Sequence, residues 1–269
     1  MPGYFIFDIE TIPDDKFWPP APESDSDDKP AKKRAKGTDE EAPAKKEAFP
    51  PPPVHRPIVL AYVMFTGGAV SIGDLAYDEG VSPDAGERKL LEQWNGLMKI
   101  QVPVLVSFNG RGFDLPVLQA RSLRHGVSQD WYHNRNYRYR YSEEHHVDLC
   151  DQLADYGATR PSKLDLYARL IGLPGKYGVD GSQVHAMWKD GKYEDIIKYC
   201  YTDVFQTAFV FLRWRLVKGK IDLPKYREIA RSLYAAIEED GRFAEFLGLI
   251  NQPELFLDAQ FYASGKEGA

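Results

Sequence analysis

The chain has 269 residues, 43% of them apolar and 13% aromatic, enough to bury the core of one large domain or two small ones. Its 34 basic and 40 acidic residues give a net charge of −6, which excludes a protein coated in positive charge for bulk nucleic-acid packaging but leaves room for a local nucleic-acid site. No apolar run of about 18 residues exists, which excludes a membrane-spanning helix.

The opening stretch, MPGYFIFDIE, carries no basic segment ahead of its apolar residues, so it is read as a strand and not as a secretory signal. Two cysteines, Cys150 and Cys200, are too few for a disulfide framework and fit a reducing, cytoplasmic setting. Residues Tyr4 to Ile9 form the first predicted strand. Residues 14–53 then break the pattern. They hold nine of the 19 prolines, an acidic patch at 24–28 (SDSDD) and a basic one at 32–36 (KKRAK), with little to bury beyond Phe17, Trp18 and Phe49. This composition reads as a disordered insertion whose charge runs are solvated.

After the insertion, strand-like and helix-like segments alternate. Ile58 to Phe65 and Ala69 to Leu75 read as strands joined by the hairpin turn signal Gly67-Gly68. A helix is expected from Pro83 to Ile100, with Ser82 as its N-cap. Val104 to Phe108 is a further strand, Leu115 to His125 a helix and Val147 to Cys150 a short strand. Ser162 is read as the cap of a helix running to Ile171, and Lys192 to Lys218 as a long amphipathic helix. Two or three helices fill the segment 220–269. The expected class is α/β, a five-stranded mixed sheet with helices on both faces and extra C-terminal helices.

Four carboxylates stand where neutral residues would be safer. Asp8 and Glu10 end the first strand, and a spacing of two projects both from one face. Asp114 opens a helix, and Asp203 follows Tyr199 by four residues, which puts them on one helical face. Each also fits a plainer role, as a solvated strand end, a helix cap, an exposed helix position or, for Tyr199, a core aromatic. A fold that gathers them must neutralise them, because like charges about 4 Å apart repel by roughly 4 kcal/mol at an effective dielectric near 20. All-oxygen donors suit Mg²⁺ or Mn²⁺, and two such ions serve phosphodiester cleavage, with a nearby hydroxyl available to the attacking water.

FDIET at 7–11, FNGRGFD at 108–114 and YxxxD at 199–203 resemble, in order, the three exonuclease motifs of the DEDD superfamily in its DEDDy branch. The chain is similar to stand-alone predicted 3′–5′ exonucleases related to the proofreading domains of family-B DNA polymerases. The likeness covers about 1–13 and 55–217, including LDLYARLIGLPGKYGVDGSQV at 164–184, and is silent on the insertion and on the helices after about 218. The implied domain is therefore 1–13 plus 54–219, with a ribonuclease-H-like fold. The resemblance implies that Asp8, Glu10, Asp114 and Asp203 hold two metal ions, that Tyr199 positions the nucleophilic water and that Asn109 holds the 3′-terminal nucleotide. The expected reaction is release of nucleoside monophosphates from single-stranded or frayed DNA. The alternatives are the same chemistry on RNA and a non-catalytic nucleic-acid-binding module.

A chain of net negative charge needs a basic path to such a site. The richest stretch is WYHNRNYRYRY at 131–141, where Arg138 and Arg140 alternate with tyrosines, a composition suited to single strands. Its plainer reading is an exposed β-like hairpin. Lys176, in the Gly-rich stretch PGKYGVDG, is a second phosphate candidate beside the reading of a simple loop. Phe108 and Phe113 are expected in the core, Asp148 as a structural carboxylate, and His145 and His146 lack the spacing of a zinc site.

Overall fold

The first strand, β1 (Tyr4–Pro13), lies at the centre of the sheet because its apolar residues face both ways. The computed structural model describes residues 3–18, 50–77, 80–176, 178 and 181–263. In chain order the elements are β1, β2 (His55–Thr66), β3 (Ala69–Ala76), α1 (Pro83–Gln101), β4 (Val104–Ser107), α2 (Asp114–His125), α3 (Asp130–Asn134) and β5 (His146–Asp148). There follow α4 (Leu149–Leu153), α5 (Leu164–Arg169), α6 (Val184–Lys189), α7 (Tyr193–Val217), α8 (Leu223–Asp240), α9 (Ala244–Gly248), α10 (Gln252–Leu255) and α11 (Ala259–Ala263). The strand order is β3-β2-β1-β4-β5. The pairs β1–β2 and β2–β3 are antiparallel, and β1–β4 and β4–β5 are parallel. This five-stranded mixed sheet flanked by helices is the expected α/β, ribonuclease-H-like architecture.

Alternation along β1 divides the interior in two. Phe5, Phe7 and Ile9 point into a cluster with Leu90, Trp94 and Met98 of α1 and Leu115 and Leu118 of α2. Ile6 and Ile12 point the other way, into a cluster with Val204, Phe205 and Phe209 of α7. Asp8 and Glu10 share the parity of Ile6, so they belong to the face that α7 covers. Leu233 and Ile237 of α8 join the same cluster as α7. The helices after Lys218 therefore pack into the domain core.

Several local readings hold. Gly67 and Gly68 adopt φ of 60° and 92°, the left-handed pair that a two-residue hairpin turn requires. Ser82 accepts from the Ala85 amide at 3.4 Å and Pro83 is the first residue of α1. Others change. Strand β1 runs on to Pro13, so Asp8 and Glu10 sit inside it and not at its end. Helix α5 begins at Leu164 and its N-cap position is Lys163, with no side-chain cap, so Ser162 does not cap it. Cys150 lies in α4 and not in the last strand, because Asp148 ends β5 by capping α4 through the Cys150 amide.

The reading of 14–53 as disordered falls largely on residues 19–49, which lie outside the described residues. At its edges Asp14 is buried, its amide donating to the Val54 carbonyl at 2.8 Å. Its carboxylate takes Arg56 at 3.0 Å and Arg121 at 2.7 Å. Arg121 also pairs with Glu87 of α1, and the two side chains are 1% and 0% exposed. Asp14 thus belongs to the domain, where buried charges persist because they are paired.

Candidate active site

Three elements deliver the four carboxylates to one place. Strand β1 presents Asp8 and Glu10 towards α7, whose Cys200 is fully buried against that strand. The Asp8 and Glu10 carboxylates and the Cys200 sulfur lie within 4.8 Å of one another. Helix α2 begins at Asp114, and its Oδ1 accepts the amide of Ile9, between the two β1 carboxylates, at 3.2 Å. Asp114 also hydrogen-bonds to Asp8. On α7, one turn apart, Tyr199 donates its hydroxyl to Asp203. Sequence spacing paired Asp8 with Glu10 and Tyr199 with Asp203 and left Asp114 by itself. Packing of α7 across β1, with α2 at the strand's side, joins the pairs.

Their proton affinities report the crowding. Burial raises the Asp8 carboxyl well above its ordinary range, and the Asp114, Glu10 and Asp203 charges push it further. Glu10 is raised by burial and then by Asp203 and Asp114. Asp114 is pushed up to about 7, chiefly by burial, with Asp148 adding to it and the Ile9 amide opposing. Burial brings Asp203 to about 6, although the Tyr199 hydroxyl and the Lys176 ammonium oppose it. Burial and the three carboxylates of Asp203, Glu10 and Asp8 raise the Tyr199 phenol. Such a buried gathering of carboxylates with raised proton affinities is a candidate functional site.

The donor set fits a hard divalent ion. Four carboxylates supply oxygen, while the neighbouring thiol of Cys200 is pushed up by burial and directed at the Asp8 carbonyl at 3.5 Å, so it stays protonated. A second group, Asp84, Glu87 and His125, has comparable proximity. Its carboxylates are already taken by Arg56, Arg121 and Arg124, so it is an ion-pair network.

The second motif is shaped by strain. Asn109 adopts φ 65°, and a Cβ at Gly112 would stand 2.5 Å from the Asn109 side-chain oxygen, so any larger residue there would displace the Asn109 amide. Asp148 holds this turn, accepting the Asn109 and Arg111 amides at 2.8 Å each. The structural role expected of Asp148 is thus explicit. His146 hydrogen-bonds Ser107 at 2.8 Å and is buried, as a core histidine. Phe113 packs with the cluster around Trp94 and Phe108 with the cluster around α7.

Residues 131–141 are not a hairpin. They form α3 and turns, with Trp131, Tyr132 and Tyr137 buried and the Tyr137 hydroxyl donating to the Pro103 carbonyl at 2.6 Å. Alternating tyrosines suggested two faces of a strand, but the aromatic cluster of Trp131, Tyr132 and Tyr137 draws the chain inward instead. Arg140 pairs bidentately with Asp151, at 2.9 and 2.5 Å. Lys176 lies beside the carboxylates, near enough to Asp203 to lower its proton affinity. Its loop is tied down by the Lys176 amide donating to Asp165 at 2.7 Å. Arg111, which the sequence reading passed over, donates to four carbonyls and organises this whole edge. Its position inside the NGRG turn was the available signal.

A family profile described as predicted 3′–5′ exonuclease related to the exonuclease domain of PolB matches residues 47–249. The chain belongs to that family. The match contains Asn109, Asp114, Tyr199 and Asp203 and runs through α8, but it begins after Asp8 and Glu10. The fold, and not the match, attaches the first motif to the other two. No curated protein matches the chain. No helix among the described residues is long and apolar enough to cross a membrane.

Proposed function

We propose that this exonuclease-family chain hydrolyses single-stranded or frayed DNA from the 3′ end, releasing nucleoside monophosphates with the help of two divalent ions. The observation that carries the reading is the convergence of Asp8, Glu10, Asp114 and Asp203 with the Tyr199 hydroxyl, all held above their ordinary proton affinities by burial, with repulsion from the neighbouring carboxylates adding to it at Asp8, Glu10 and Tyr199.

In this reading the four carboxylates would hold Mg²⁺ or Mn²⁺, which would supply charge stabilisation for phosphodiester hydrolysis. Without ions, burial and three neighbouring carboxylates disfavour the Tyr199 phenolate, and its hydroxyl donates to Asp203. The role proposed for Tyr199 is to orient the attacking water by a hydrogen bond. Asn109, fixed in a strained turn by Asp148, faces the terminal nucleotide. Lys176, beside Asp203, meets phosphate charge from the opposite side.

Labelled single-stranded DNA and RNA, digested in parallel with Mg²⁺ and with EDTA, test this. Mononucleotide release from the 3′ end of DNA, abolished by EDTA, is the expected result. Release from RNA alone would move the substrate to RNA. Binding without Mg²⁺-dependent release from either would leave a non-catalytic module.

A further inference from the structure

Beside the second motif lies a cavity of about 380 Å³, lined by Asn109, Arg111, Tyr132, Arg138, Asp148 and Asp151 among others. Three arginines and two aspartates border it, and the fold disposes of them unequally. Asp148 is occupied by the Asn109, Arg111 and Cys150 amides. Asp151 is paired with Arg140 at 2.5 Å. Arg111 is half-buried, and its guanidinium is spent on the carbonyls of Tyr137, Arg138 and Tyr139 at 3.1 to 3.4 Å, and of His146 at 3.2 Å. Arg138 differs. Its carbonyl is held by Arg111, while its exposed guanidinium has no carboxylate partner among the described residues. Next to it Tyr139 and Tyr141 are 52% and 62% exposed, with ring centroids 6.0 Å apart, and Tyr141 continues to Tyr156 at 4.9 Å.

We propose that this edge is the track for the single strand upstream of the terminal nucleotide: Arg138 contacts a backbone phosphate in the cavity, Tyr139 and Tyr141 stack bases, and Arg111 is the positioning residue that fixes both. An unpaired guanidinium beside exposed aromatic rings is the chemistry that binds single strands without reading sequence. Asn109 lines the same cavity, which makes the track continuous with the site of the terminal nucleotide. Of the two arginines that sequence pattern singled out, Arg138 binds, and Arg140 serves to neutralise Asp151. The inference rests on the exonuclease reading for its direction, but its binding component stands apart from catalysis.

The test uses the full chain. Hydrolysis of a deoxythymidine dinucleotide and of a 12-residue deoxythymidine strand is compared with Mg²⁺, and binding of the labelled 12-mer is measured in EDTA across a salt series. Arg138→Ala should lower the ratio of kcat/KM for the 12-mer to that for the dinucleotide about tenfold, chiefly through KM. It should also reduce the salt slope of binding by about 0.7, the value for one phosphate contact on a single strand. Arg111→Lys, which keeps the charge but cannot span four carbonyls, should lower the same ratio. Arg231→Ala, a distant exposed site paired with Asp258, should leave it unchanged. An unaltered ratio and salt slope in Arg138→Ala would overturn the track. If the wild type bound the 12-mer through Arg138 but hydrolysed neither substrate, the exonuclease reading would fall and the track would stand.

Discussion

The Asp114 carboxylate accepts the backbone amide of Ile9, a residue 105 positions away, at 3.2 Å. That bond pins the start of α2 between Asp8 and Glu10, so the second motif cannot move without moving the first. Loss of ligand charge should therefore be felt directly in turnover. Asp8→Ala or Asp203→Ala should lower kcat by about 10³-fold or more, since each removes a carboxylate proposed to hold a metal ion. Tyr199→Phe should cost less, about 10- to 10³-fold, because water still reaches the site. Single-turnover cleavage of a labelled 12-mer measures both; equal losses for Tyr199→Phe and Asp203→Ala would contradict the role of orienting water.

The carboxylate cluster of the metal-free protein should contribute less stability as pH rises. Asp203 and Asp114 have folded values of about 6 and about 7, above the ordinary carboxylate value of 3.8. The folded state thus binds more protons than the unfolded one between those limits, and stability is full below about 3.8 and declines up to about 7. The buried His146, whose proton affinity burial lowers, has the opposite pH dependence, so melts in EDTA from pH 4 to 8 are compared between wild type and Asp114→Asn, which keeps His146. The wild-type Tm should fall relative to the variant's as pH rises, and a wild-type Tm that rose relative to the variant's would contradict the crowding.

Asp8→Asn probes the same strain at one position. Burial and the Asp114, Glu10 and Asp203 charges all disfavour the Asp8 carboxylate. In EDTA near pH 8 the variant should melt at or above the wild-type temperature. With Mg²⁺ the order should reverse, because saturation to about 100 times Kd adds roughly 2.7 kcal/mol to the wild type alone. A variant clearly less stable in EDTA would make Asp8 a structural hydrogen-bonding residue.

Glu87→Gln should be costly to the fold and not to the site. Glu87 and Arg121 are 0% and 1% exposed, and Arg121 reaches on to Asp14. Removing one partner of a buried pair typically costs about 3–5 kcal/mol. Urea denaturation gives the loss. Cleavage per folded molecule, measured well below the midpoint, should be close to wild type.

The ends of the 14–53 stretch meet. The Asp14 amide donates to the Val54 carbonyl at 2.8 Å, and Asp14 pairs with Arg56 at 3.0 Å. Replacing residues 19–49 by a short Gly-Ser linker should leave Tm within a few degrees, since closing a shorter loop changes little entropy. Cleavage of short oligonucleotides should persist. A collapsed melting curve would show that the replaced residues contribute to the core.

What the amino-acid order determined by itself was periodic or local. Short apolar runs predicted all five strands, the pair Gly67-Gly68 predicted its turn, and a spacing of two put Asp8 and Glu10 on one face. A spacing of four put Tyr199 beside Asp203. These relations follow from backbone geometry over a few residues, which any segment carries with it.

The tertiary structure decided which groups meet and which charges remain free. Asp14 looked like the start of a polar insertion until Arg121, 107 residues on, took its carboxylate. Arg138 and Arg140 look alike in the pattern YRYRY at 137–141, yet Asp151 binds Arg140 and not Arg138. Arg111 drew no notice in the sequence, yet it holds four carbonyls. A long cation has many possible partners within its reach, and local sequence does not rank them. Only when strands, helices and the aromatic cluster around Trp131 and Tyr137 have packed is each side chain confined to one partner, and the charge left over then marks where a phosphate can bind.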